Sequence, residues 1–95
     1  MPITSLSAQS ANTVARAYLY YVTDTIDGSD RFEGFFAKFE DGEHKLVLRM
    51  AATDEQPGVE STILSGWEDF TPIINSLNIA YPARSKHHDE SITKD

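Results

Sequence analysis

The chain contains no cysteine, which excludes a disulfide scaffold, thiolate zinc sites and thiol catalysis. Its apolar runs are short, and none approaches the roughly 18 residues that a membrane-crossing helix needs. The opening stretch, MPITSLSAQSANTVARAYLYY, places no charged segment ahead of its apolar residues and makes a poor secretory signal. Five glycines are scattered singly, so no phosphate-cradling loop occurs. Basic residues are scarce: eight Lys and Arg against fifteen Asp and Glu give a formal charge of −7. Non-specific binding to a nucleic-acid duplex is therefore disfavoured. What is present is 95 residues, 40% hydrophobic and 11% aromatic, too few for two cores. The expectation is one small, soluble, cytoplasmic domain.

Composition changes at the ends. Residues 1–12 are small and polar and read as a flexible or capping segment, residues 13–82 as a single α+β domain, and residues 83–95 as a mobile polar tail. Within the domain, Asp41-Gly42 separates two β-rich runs, Phe35 to Glu40 and Glu43 to Met50. Asp-Gly suits a type I′ turn, whose central residues both need positive φ. A two-residue turn sets the register, with Glu40 opposite Glu43. Phe39/His44, Ala37/Leu46 and Phe35/Leu48 then share an inner face. Lys38/Lys45, Phe36/Val47, Gly34/Arg49 and Phe32/Ala51 share an outer one. Upstream, Thr13 to Thr23 is rich in β-branched and aromatic residues and reads as a strand. A helix from about Leu6 to Val22 is the alternative, because alanines tolerate it. After the turn cluster Thr53 to Gly58, Val59 to Leu64 makes a fourth strand.

Ser65-Gly66-Trp67-Glu68 matches a capping box, and Trp67, Phe70, Ile74 and Leu77 recur at helical spacing. A helix over about 66–77 follows, kinked or restarted at Thr71, where Pro72 suits a first helical position. The predicted fold class is thus α+β: a small antiparallel four-stranded sheet in β-β-β-β-α order, with one C-terminal helix packed on one face.

One helix covers one face only. In this arrangement the outer face displays Arg16, Tyr18, Tyr20, Phe32, Phe36, Lys38, Lys45, Val47 and Arg49, basic groups interleaved with aromatics. Such a surface marks an interaction site. The leading expectation is a small acidic, non-catalytic binding or accessory protein that uses this face, forms a homodimer and modulates a protein partner. Two alternatives are an acidic nucleic-acid mimic that blocks a DNA- or RNA-binding protein, and a binder of a small or anionic ligand, or a small enzyme, with a helix–sheet pocket. Nucleic acid and membrane are not expected partners, and no cofactor is implied.

Candidate chemistry is thin. Asp24, Asp27 and Asp30 crowd one loop without the alternating ligand spacing of a calcium loop. His87-His88-Asp89-Glu90 resembles a metal cluster, but adjacent side chains in a tail lack preorganisation. His44 is the sole histidine of the expected domain and reads as a packing residue. No Gly-x-Ser-x-Gly elbow accompanies the serines, and no carboxylate pair stands out. Trp67 reads as core.

Overall fold

Ser7 starts the first helix: its hydroxyl accepts the Ser10 amide at 3.1 Å, satisfying one of the donors that a helix N-terminus leaves unpaired. The structure, a computed structural model, describes residues 5–83. Helix α1 spans Ala8–Tyr18 and runs into a π-helical turn, Leu19–Thr23. Val14, Ala17, Tyr18, Tyr21 and Val22 recur at spacings of three and four and pack into the core, while Ala15 and Arg16 face outward. Hydroxyls of Thr23 and Thr25 donate to the carbonyls of Leu19 and Tyr21 at 3.1 and 2.9 Å, occupying acceptors that the ending helix leaves open. A single turn, α2 (Gly28–Arg31), leads into the sheet.

This overturns the four-stranded reading. Residues 13–23 are helical, and the sheet has three antiparallel strands in the order β1 (Phe32–Glu40), β2 (Glu43–Met50) and β3 (Val59–Gly66). The fold remains α+β with an antiparallel sheet, but its element order begins with helices. The physical reason lies in the stripe: alternation along 13–23 places Arg16 beside Val14 and Tyr18, whereas a helical period collects the apolar side chains without it.

The hairpin pairs as its turn dictates, from Glu40↔Glu43 through Gly34↔Arg49, with Asp41 at φ 56° and Gly42 at φ 78°. The expected pairing of Phe32 with Ala51 does not form. A bulge at Glu33, beside Gly34 at φ 124°, realigns Phe32 with Met50. Phe32 thereby turns to the inner face, where it is fully buried and meets Tyr18 and Phe35 edge-on at 5.2 and 5.7 Å. A second bulge leaves Ile63 without a partner in β2, and both Ile63 and Leu64 pack against the core.

The C-terminal helix begins later than the Ser65–Glu68 pattern implies. Ser65 and Gly66 stay paired with Lys45 and His44, so their backbone belongs to β3. Asp69 Oδ1 then accepts the Thr71 amide at 3.0 Å, and Pro72 sits in the first turn of a 3₁₀ segment, Thr71–Ile73, that continues as α3 (Ile74–Ala80). Phe70, Ile73 and Leu77 are buried against Phe35, Leu46 and Leu48. Asn78 ties this helix to the free edge of β1: its Oδ1 accepts the Phe35 amide at 2.9 Å and its Nδ2 donates to the Phe35 carbonyl at 3.0 Å. Both helices therefore lie on the inner face. The polar tail expected over 83–95, with the His87 to Glu90 cluster, lies outside the described residues beyond Ala83.

Candidate functional site

The residues nominated for the outer face separate into two groups. Phe36, Lys38, Lys45, Val47 and Arg49 come together there, because the hairpin register puts them on one side of the pleat. Arg16, Tyr18, Tyr20 and Phe32 do not. Arg16 is exposed on α1, and Tyr18 packs tilted against Tyr81 at 4.8 Å on the inner side. Tyr20 projects from the π-helical turn beside Tyr21, and Phe32 is core. The helical conformation of residues 8–23 and the bulge at Glu33 account for all four.

No described element covers the outer face, yet its own charges close it. The Arg49 guanidinium lies over the Phe36 ring at 4.0 Å. Its Nε and Nη2 donate to Glu60 Oε2 at 3.3 and 3.0 Å, and Lys38 donates to Glu60 Oε1 at 2.7 Å. Glu60 is thus held below the usual carboxylate value, by Lys38 first and Arg49 second, and Lys38 is correspondingly raised by Glu60. Lys45 lies 3.5 Å from Glu40 and 3.8 Å from Asp41. Val47 is already buried beneath this lattice. The strand from β3 supplies Glu60, the one element of the network that hairpin reasoning alone did not place.

A different surface is open. At the turn end of the hairpin the inner face carries Phe39 and His44, and the connection from Gly66 to Phe70 runs beside it. Trp67 is 92% exposed and Phe39 64% exposed. With Gly42, Glu43, His44 and Gly66 they line a cleft of about 390 Å³. Phe39 and His44, cross-strand partners, pack with ring centroids 4.7 Å apart. His44 Nδ1 lies 3.9 Å from Asp69 Oδ1. The Thr71 amide, donating to Asp69, holds that carboxyl below its ordinary value. Trp67 is therefore not core, and it stands outside the helix–sheet interface. The misplacement has a cause: the stripe Phe70, Ile74, Leu77 continues back to Trp67 in sequence, but β3 pairing retains residues 65 and 66, so position 67 falls in a turn. A Gly immediately before the Trp and an Asp-x-Thr-Pro pattern that starts two residues after it are the signals that mark it.

Among the described residues, no group of three or more His, Asp or Glu side chains comes together as a metal site, Asp24, Asp27 and Asp30 included. No described helix is long and apolar enough to cross a membrane. Comparison of the chain with protein families, curated proteins and solved structures finds no match, so its function has to be read from the cleft and the sheet themselves.

Proposed function

We propose that this protein is a small non-catalytic binding module, an accessory or modulating protein that engages a protein partner through the aromatic cleft at the hairpin end. The observation that carries the reading is an indole left 92% exposed beside a half-open phenyl ring on a two-residue hairpin. Tryptophan concentrates at the energetic centres of protein interfaces, and a rigid scaffold lowers the entropic cost of presenting it.

The test places a photo-crosslinking residue at position 39 and, as a control, at the exposed position 15 of α1, in the cells that make the protein. Position 39 is expected to yield discrete adducts that disappear when Trp67→Ala is added. Adducts of equal pattern from both positions, or adducts indifferent to Trp67→Ala, overturn the reading.

Self-association through the outer sheet face is a second reading, favoured by one observation: both helices pack on the opposite side. The ion-paired lattice over Phe36 and Val47 leaves it little apolar area, so the cleft ranks first. Light scattering across a concentration series decides it, since a face-to-face pair requires a mass that doubles as concentration rises.

A further inference from the structure

We infer that two copies of this chain pair antiparallel along the free edge of β1, Phe39 opposite Phe39 of the second copy, so that their three-stranded sheets join edge to edge. This goes beyond the cleft reading, and its surface is not the outer sheet face but the main-chain edge beside the hairpin turn.

Asn78 shows which groups line that edge. From outside the sheet it takes both the N–H and the C=O of Phe35. The pairing of β1 with β2 is regular from Gly34 to Glu40, so Phe35, Ala37 and Phe39 all direct their main-chain groups away from β2. Asn78 satisfies the first of the three. Among the described residues, no hydrogen bond reaches the edge groups of Ala37 or Phe39. A row of unpaired main-chain groups is a template for another strand. The opposite edge of the sheet is guarded, because the bulge at Ile63 breaks the regularity of β3.

Charge and Asn78 together select a second copy and one register. With Phe39 on the two-fold axis, Lys38 of each copy stands opposite Glu40 of the other on the outer face, two attractive cross-strand pairs. A shift to the next register in one direction sets Lys38 against Lys38 of the second copy. It also drives Asp41 of the second copy into the place that the Asn78 amide holds beside Phe35. A shift the other way sets Glu40 against Glu40. The intermediate register avoids both conflicts. There the second copy turns away at Asp41-Gly42, opposite Ala37 and Phe36, before it reaches Asn78. The edge is thus self-complementary, as a closed two-fold pair requires. Phe39, 64% exposed in the single chain, gains a directly opposed aromatic ring. Glu40 is half-exposed, and the Lys38 ammonium, hydrogen-bonded to Glu60, has further donors to offer.

Light scattering and amide hydrogen exchange of the full chain test this together. The mass is expected to rise toward that of two chains as concentration enters the millimolar range, with the Phe39 amide becoming protected in parallel. Lys38→Glu sets carboxylates opposite each other across the edge, and Glu40→Lys sets ammonium groups opposite each other. Each variant alone is expected to self-associate about tenfold or more weakly. An equal mixture of the two makes every cross-strand pair opposite in charge again and is expected to form a mixed pair. Both positions lie at the surface, and thermal unfolding verifies that each variant is folded.

A mass that stays at one chain overturns the inference. So does a pair that leaves the Phe39 amide unprotected, the signature of face-to-face association, or a mixture of folded variants that pairs no better than either alone. If a variant does not fold, exchange at Phe39 in the natural protein decides by itself. The cleft reading stands or falls separately: on crosslinking from position 39 the self-adduct has twice the mass of the chain and does not require Trp67, whereas that reading rests on adducts with other proteins.

Discussion

Arg31 is the one buried charged residue described, and no carboxylate answers it. Its Nε donates to the Ala51 carbonyl at 2.8 Å, Nη1 to Gln56 Oε1 at 2.6 Å and Nη2 to the Pro57 carbonyl at 2.8 Å. Neutral acceptors thus replace the counter-ion, and one side chain pins both ends of the 51–58 connection to the start of β1. The Arg31 carbonyl accepts the Ala51 amide at 2.7 Å, closing the same junction from the main chain. Substituting Arg31→Met keeps much of the apolar stem and deletes every donor. It is expected to lower stability by about 2–3 kcal/mol, the scale of losing charge-assisted hydrogen bonds at a largely desolvated site. Urea unfolding measures this, and a loss below about 0.5 kcal/mol would mean the connection is held by other contacts. No feature of the linear chain singles out Arg31, because its acceptors lie 20 to 26 residues away and two are backbone carbonyls.

At the scale of elements, two glycines separate kinds of constraint. Gly42 has φ 78° and open space where a Cβ would stand. Gly28 shows no unusual φ, but a Cβ there runs into the Val22 carbonyl and the Thr25 hydroxyl. Gly42→Ala is therefore expected to cost about 1 kcal/mol, the left-handed backbone penalty alone. Gly28→Ala should cost about 2–3 kcal/mol, because the π-helical turn itself must shift. Thermal unfolding of the two variants gives the order, and a larger loss at Gly42 would reverse the argument. The same contrast explains what could be read in advance. The hairpin was legible because Asp41-Gly42 permits one turn, and one turn permits one register. The first helix was obscured because Tyr18, Tyr20, Val22 and Thr23 carry β preference while Val14, Ala17, Tyr18, Tyr21 and Val22 carry a helical stripe. Packing against Phe32 and Phe35 favours the stripe, and only tertiary structure supplies those rings. Five of the nine residues nominated for the outer face follow the hairpin onto it; the other four follow the first helix and the bulge away from it. Trp67 was masked for a related reason, since a capping pattern describes a helix start only when strand pairing does not claim its residues.

For the molecule as a whole, a charge of −7 acts against compaction, and lowering the pH toward the isoelectric point of about 4.7 relieves it. That trend runs opposite to the outer-face lattice. Glu60 has its value lowered from 4.5 in the folded state by Lys38 and Arg49, so its contribution is present above that ordinary value and is lost as pH falls through the folded one. Lys38 is raised from 10.5, so its share holds below 10.5 and disappears as pH rises through the folded value. Because general repulsion and local pairing change together on acidification, the stability–pH curve of the natural protein alone does not separate them. The difference between it and Glu60→Gln does, since one charge in so acidic a chain alters the general term little. That difference is expected to be flat between neutral pH and about pH 5, to shrink as the pH falls below 4.5, and to diminish at any pH on adding salt. Parallel urea titrations of the two proteins supply it. A difference that persists unchanged to pH 2 would assign the role of Glu60 to packing over Lys38 and Arg49 instead of charge.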